Sequence, residues 1–440
     1  MKDKSLTKSI TFNDFKKEIL NDYKTIVISR ETSLLGRKEV LSGKAKFGIF
    51  GDGKELPQIA MAKAFQRGDH RSGYYRDQTF MLALNEISVQ QIFSALYANT
   101  DLKKEPMSGG RQMGSHFMSN YIDEKGDFID STQKYNSSAD ISPTSGQMPR
   151  LLGLAMASKL YREGSFNSEN FSNNGNEVAW GTIGNASTSE GPFFEVFNAA
   201  GVHQVPMIIS VWDDEYGISV NNSYQTTKSS ISKALHGFKR DKSNKGFEIY
   251  TVDGWDYQSL IQIYEHSSNF CRENHIPILI HVKNLTQPIG HSTSGSHERY
   301  KNKSRLEWEM KYDCNRKMRE WILDNNLSDL SKIEQIEKDC IEFVKSEKKA
   351  AWDDFQKDII VERDSFIKLI KSLVHQYKSK DLAEIANSLL RLKDLGRKDV
   401  MSAARRSLRL ENSFDFFEKI NNWVSDYKKN TQPFYSSHLY

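Results

Sequence analysis

The sequence predicts an α/β fold, a mostly parallel sheet flanked by helices, with a helical C-terminal extension. Two observations carry the sheet. Residues 177–212 read as strand, small-residue loop, helix and strand, and a second apolar stretch, Ile276 to Val282, follows an amphipathic helix around Leu260 to Phe270. The third observation is a change of character beyond Asn326, where apolar residues recur at helical steps among Lys, Glu and Asp.

Each element has its own local reason. Glu177 to Ile183 is rich in β-formers and short, as a buried strand is. Gly184-Asn-Ala-Ser-Thr-Ser-Glu-Gly191 is a small-residue loop, and Pro192 is well placed to open the helix that carries Phe193 to Ala200. Val205 to Trp212 is a near-continuous apolar strand of the kind parallel sheets bury on both faces. Upstream, Leu56 to Phe65 reads as a helix, preceded by a turn at Gly51-Asp52-Gly53. The Asn- and Ser-rich stretch from Phe166 to Gly175 reads as a surface loop. In the extension, Ile333, Ile336, Cys340, Val344, Ala351, Phe355 and Ile359 form the apolar stripe. The tail from Thr431 to Tyr440 lacks that pattern and reads as a linker. These shifts divide the chain into a helical leader (1–35), an α/β domain (36–330) and the extension (331–440).

Composition narrows the function. The 440 residues carry 61 Lys and Arg against 57 Asp and Glu, with 38% hydrophobic residues, an ordinary water-compatible balance. Acidic and basic residues interleave, so nucleic acid is not an expected partner. The longest apolar run, Val205 to Trp212, has eight residues, against the ~20 that a membrane helix needs. No membrane span is expected, the first residues show no secretory signal, and three well-separated cysteines argue against a disulfide framework. The expected location is the cytoplasm.

The chemistry concentrates at two loops. In an α/β sheet, ligands bind beyond the carboxyl ends of strands, which makes the Gly184 to Gly191 loop an anion cradle. The next strand ends in Asp213-Asp214-Glu215, three acids expected to face the same crevice. Carboxylates beside an anion site would repel the anion unless a hard cation such as Mg²⁺ lies between them.

These loops resemble the paired motif of proteins that bind thiamin diphosphate, with Gly184-Asn185-Ala186 and then Asp213-Asp214, Asp214 lying 29 residues after Asn185. Ala186 to Gly191, Phe197 to Ala200 and Tyr216 to Ser219 look like the α subunit of the thiamin-dependent, decarboxylating component of 2-oxo acid dehydrogenase complexes, of branched-chain or pyruvate type. The resemblance runs from about Gly36 to Tyr312 and implies a thiamin diphosphate-binding fold. It implies that Tyr75 and Arg76 contact the diphosphate, and an arginine's planar fork suits phosphate. Gly109 to His116 resembles a glycine-rich run ending in an active-site histidine. Ser142 and Thr144 lie in a block resembling the loop that grips the aminopyrimidine. Pro288 to Ser294 resembles a mobile loop whose histidine, His291, reaches diphosphate and substrate. His116 and His291 are thus the expected catalytic residues. Gly184, Ala186 and Ser187 are expected to bind cofactor, and Asn185, Asp214 and the Tyr216 carbonyl to hold Mg²⁺. His203, His266, His275 and His281 are left as core or surface residues.

Four positions depart from the family's pattern. Asn185 and Asp214 reverse the expected order of carboxylate and asparagine. Ala186 replaces a glycine, tolerable where φ is negative, and Trp212 stands where branched-chain members carry an arginine. Gly51-Asp52-Gly53 spells the thiamin motif literally but has no partner motif at the right distance, so it is assigned to a turn.

The resemblance implies oxidative decarboxylation of a 2-oxo acid with acyl transfer to a lipoyl group on an acyltransferase core. It also implies a β subunit, or a fused β half, that completes a heterotetramer's site. No segment after Tyr312 resembles that second half, so this chain is expected to be inactive alone. Arg111 to Met113 and Ile289 to Ser294 look more like branched-chain members than pyruvate members. Ser292 and Ser294 lie in a loop that some relatives phosphorylate. Two other readings share these motifs: a scaffold subunit that has lost its cofactor, and an acetoin-type thiamin enzyme.

Overall fold

Six short strands, every neighbouring pair parallel, form the central sheet in the order β2-β1-β3-β4-β8-β7. They are β1 (His70–Ser72), β2 (Asn136–Ser137), β3 (Ala179–Gly184), β4 (Met207–Trp212), β7 (Glu248–Asp253) and β8 (Ile278–Lys283). A two-stranded hairpin, β5 (Tyr216–Gly217) with β6 (Val220–Asn221), follows β4. The computed structural model describes residues 11–112, 114–166, 169–410 and 413–436. Parts of the expected Asn- and Ser-rich loop, Met113 of the glycine-rich run and the last four residues of the tail lie outside these.

The central strands β3, β4 and β8 are buried on both faces because they are apolar at successive positions. β4 alternates Met207, Ile209 and Val211 toward one cluster, formed with α5 (Met148–Arg162) and α6 (Gly191–His203) through Leu151, Phe193 and Phe197, and with Phe247 just before β7. The intervening Ser210 hydroxyl receives the Tyr264 hydroxyl from α8 (Tyr257–Asn274) on the other face, at 2.8 Å. α8 packs there with α2 (Glu55–Ala64). Local signals set the helix ends. Pro192 lies in the first turn of α6, and Asp256 caps α8 by accepting the Ser259 N–H. The leading helix α1 (Phe12–Leu41) is capped by Thr11 and buries Ile19, Tyr23 and Ile26.

Two buried charge clusters tie the sheet to the loops above it. The Arg71 guanidinium, fully buried, is 2.7 Å from Asp77 and 2.9 Å from Asp140. Asp77 also accepts from the Trp212 indole at 3.1 Å and from Thr182, so β1, β3 and β4 share one carboxylate. Arg272 clamps Asp69 with two 2.8 Å bonds, and Asp69 accepts the Trp180 indole N–H as well.

By internal contacts the chain divides into two units. One comprises residues 1–42, 46–89 and 115–345 and contains the sheet; the other comprises 43–45, 90–114 and 346–440. The second unit has its own core, in which Phe366, Ile370 and Leu373 of α11 (Leu330–Tyr377) meet Leu382 and Leu389 of α12 (Lys380–Leu390), Val400 and Ala404 of α13 (Arg397–Ser407) and Phe416 and Ile420 of α14 (Phe414–Thr431). Of the stretch expected as a linker, residues 433–436 form a short helix. Among the described residues no helix is long and apolar enough to cross a membrane.

Candidate functional site: a cavity at the carboxyl ends of the strands

Because the strands are parallel, their carboxyl ends share one edge of the sheet, and the segments leaving that edge line a cavity of about 430 Å³. Tyr75 and Arg76 follow β1, Ser142 to Ser145 follow β2, Gly184 ends β3 and Asn185 to Ser187 follow it, Asp214 and Tyr216 follow β4, and Gln287 and His291 follow β8. From β1 the chain steps outward to β2 and then crosses back to β3. That reversal between β1 and β3 is the topological switch point, where open α/β sheets place ligands.

Arg76 is buried and doubly held. One guanidinium nitrogen donates to the Phe50 carbonyl at 2.6 Å, and another donates to both the His291 carbonyl and its ring Nδ1 at 3.0 Å. Arginine only donates, so Nδ1 must be the acceptor and the ring N–H must be on Nε2. Burial first, and then the neighbouring Arg76 charge, push the His291 imidazole down to about 4. His116 is placed differently. It is buried and does not line the cavity; its Nε2 lies 2.8 Å from the Ser142 Oγ, which does, while its Nδ1 has no partner. The Tyr75 ring lies 6.2 Å from that of His116 and 5.3 Å from the Arg76 guanidinium.

The loop after β3 folds as a short 3₁₀ turn, Ala186–Ser189, joined to the loop after β2 by a bond from the Ser145 hydroxyl to the Ser187 carbonyl at 2.8 Å. Ala186 has negative φ, so the missing glycine imposes no strain. Instead Gly217 is constrained: a Cβ there would come within 2.4 Å of the Ala186 Cβ.

The expectation that three acids face one crevice needs correction. Only Asp214 lines the cavity. Asp213 turns away and bonds the buried His281 at 2.7 Å, and Glu215 pairs with Arg305. Glu215 has φ +67, and its N–H is held by Asp213 Oδ1 at 2.8 Å. The reason is local crowding: three adjacent carboxylates cannot share one dry crevice, so two find cations or donors elsewhere.

Asp214 is fully engaged. Its Oδ2 accepts from the Lys54 ammonium at 2.9 Å, and its Oδ1 accepts the Tyr216 N–H at 3.2 Å. Burial pushes this carboxyl up, but the adjacent Lys54 charge and hydrogen bond, with Lys301 and Arg76 beyond, leave it below the ordinary carboxylate range. Asn185, 6% exposed, lines the same wall, and its side-chain N–H₂ has no partner. Gln287 is likewise buried against the cavity with its amide nitrogen unpaired. Buried donors without partners are costly, and donors that converge on a cavity wall suit an anionic guest. Among the described residues, no group of three or more His, Cys, Asp or Glu side chains is placed to hold a metal. The expected set of amide, carboxylate and carbonyl oxygens is of another kind. It fits a divalent ion only where Asp214 shares lone pairs with Lys54 or releases it.

The profile of the dehydrogenase E1 component family matches residues 23–359. The chain belongs to that family. It is 27% identical over 301 residues to the 2-oxoisovalerate dehydrogenase subunit alpha of Bacillus subtilis (strain 168), covering 67% of this chain and 79% of that protein. It is 25% identical over 199 residues to the pyruvate dehydrogenase E1 component subunit alpha of Rickettsia bellii (strain RML369-C), covering 45% of this chain and 55% of that one. With the mitochondrial 2-oxoisovalerate dehydrogenase subunit alpha 1 of Arabidopsis thaliana it shares 23% over 285 residues, covering 64% and 52% respectively. The fold of this E1-family chain agrees with the α/β expectation.

Of the expected site residues, Tyr75, Arg76, Ser142, Thr144, Gly184, Asn185, Ala186, Ser187, Asp214, Tyr216 and His291 line the one cavity, and His116 stands one hydrogen bond behind it. Lys54, Gln287, Ser145 and Gln225 also line it and are not among the expected site residues. Lys54 follows the turn set aside as a decoy. Its two glycines are packed so closely that a Cβ on Gly51 would lie 2.2 Å from the Arg76 carbonyl oxygen, and one on Gly53 would lie 2.1 Å from that of Thr286. A Gly-x-Gly-Lys run is a signal for close backbone approach with a charge delivered beside it. Trp212 lines the cavity and spends its indole N–H on Asp77. In the expected phosphorylation loop, the Ser292 and Ser294 hydroxyls are bonded to each other at 2.7 Å.

Proposed function

We propose that this chain is the α-type subunit of a 2-oxo acid dehydrogenase (acyl-transferring), acting on a branched-chain 2-oxo acid or pyruvate with thiamin diphosphate and Mg²⁺. Family membership implies the thiamin cofactor. The observation that carries the reading is the cavity itself: Arg76, His291 and the unpaired donors of Asn185 and Gln287 converge at the switch point of a parallel sheet. When bound, thiamin diphosphate supplies the electron sink for decarboxylation. The chain's own residues bind and orient. Arg76, with Tyr75 beside it, offers charge to the diphosphate, and the Gly184 to Ser187 loop gives its backbone a close approach. Asn185, Asp214 and the Tyr216 carbonyl would hold Mg²⁺. His291, neutral at physiological pH, would present its Nε2–H to a phosphate or carboxylate oxygen. Ser142, steadied by His116, and Thr144 would hold the cofactor's other end.

Turnover is expected to require a β-type subunit or a fused β half, with the acyl group passed to a lipoyl carrier on an acyltransferase core. Retention of Tyr75, Arg76, His116 and His291 supports the enzyme over a scaffold. The test is reconstitution with a β-type partner and assay across 2-oxo acids, omitting cofactor and Mg²⁺ in turn. CO₂ release from a branched-chain 2-oxo acid or from pyruvate, lost on omitting the cofactor and lowered on omitting Mg²⁺, is the expected result. Release from neither, or turnover unaffected by omitting the cofactor, contradicts the proposal.

A further inference from the structure

Lys54 is the least expected group in the cavity. Its side chain is 2% exposed, so its charge is withheld from water, which is costly without compensation. It also stands at the N-cap of α2, where the helix end repels cations. Neither position suits an ammonium unless something at the site needs it. The chain is shaped to put it there. Gly53, at φ +79, turns the backbone against Thr286, and the Lys54 Nζ then lies 2.9 Å from Asp214 Oδ2 and 3.1 Å from the Thr286 carbonyl. An ammonium has three N–H donors. Two are met by these partners, and Lys54 joins Arg76, Asn185 and His291 in the cavity lining.

We propose that Lys54 is a cofactor-binding residue, a resident cation that contacts the diphosphate directly and shares Asp214 with the divalent ion. This rests on the diphosphate reading above and deepens it. Asn185 is neutral, so Asp214 is the only carboxylate in the inferred metal set, and Lys54 cancels its charge. A trianionic or dianionic guest therefore meets Lys54 and Arg76 balancing the lining's two carboxylates, Asp214 and the exposed Glu190, even before a metal enters. Mg²⁺ adds to this field instead of creating it.

The consequence is a weak dependence of cofactor binding on Mg²⁺. Titrating the full chain calorimetrically with thiamin diphosphate, once with Mg²⁺ and once with EDTA, gives two dissociation constants and their ratio. Wild type is expected to bind in EDTA within about tenfold of its affinity with Mg²⁺. Lys54→Met removes the resident cation and frees Asp214 for the metal, so the ratio should rise at least tenfold, whereas Lys54→Arg should keep it near wild type. A role in folding alone would weaken both constants together and leave the ratio unchanged, and that result overturns the proposal. Should Lys54→Met not fold, Lys54→Gln, which keeps an N–H for Asp214 without the charge, carries the same comparison. A wild-type chain that binds no cofactor with Mg²⁺ when the β-type partner is present overturns the diphosphate reading itself, and the role of Lys54 with it.

Discussion

At His291 a single hydrogen bond settles a protonation state. The Arg76 guanidinium donates to Nδ1 at 3.0 Å, so a proton on that nitrogen would set two donors against each other beside a fixed positive charge. With the folded ring titrating at about 4 against an ordinary 6.5, the unfolded chain takes up a proton that the folded chain refuses as the pH falls. The ring's contribution to stability is therefore complete above pH 6.5 and is lost progressively as the pH falls to 4. Nitrogen-15 NMR of the histidine rings at pH 6 should find His291 neutral with its proton on Nε2. An imidazolium at that pH would show that the Arg76 contact does not hold in solution. His116 lacks such a neighbour: its Nε2 meets the Ser142 hydroxyl, a group able to donate or accept, so geometry alone leaves its tautomer to the ligand.

At the scale of elements, the strands hold the site through a few buried charges, and these set how the loops leave the sheet. Arg71 joins Asp77 and Asp140, and Asp77 in turn reaches Thr182 and Trp212, so one cluster links the segments that carry Tyr75, Asn185 and Asp214. Removing one partner of such a cluster leaves bare carboxylates in a dry interior. Arg71→Met should lower stability by about 3–5 kcal/mol, read from denaturant unfolding, because breaking a buried pair from one side costs that much. A loss below about 1 kcal/mol would mean that water reaches the cluster.

The same scale explains what the sequence revealed. β3, α6, β4 and α8 were legible because apolar runs, Pro192 and a small-residue loop are local signals. β1 and β2, of three and two residues, are too short to leave a period. The direction of each acid after β4 depends on His281, Lys54 and Arg305, which are remote in sequence, so three adjacent carboxylates could not be told apart locally. Lys54 is the clearest case. Its partner lies 160 positions away, so the Gly51 to Lys54 run marks a close backbone approach without naming what the charge meets.

At the scale of the whole molecule, the sheet-bearing unit carries every residue that lines the cavity, and the helical unit carries a separate apolar core. The stripe from Ile333 to Ile359 was legible as a helix and is one, α11, whose Ile333, Cys340, Val344, Ala351 and Ile359 are buried. The family match ends at residue 359, within that helix. The match takes in every residue that lines the cavity, and the central claim is that this cavity takes a diphosphate at the strand ends. Co-crystallisation of the full chain with thiamin diphosphate and Mg²⁺ tests it most directly. The account predicts diphosphate density between Arg76, His291 and the Gly184 to Ser187 loop, within reach of Asn185 and Asp214. Cofactor bound elsewhere, or diphosphate density turned away from Arg76 and that loop, would contradict it.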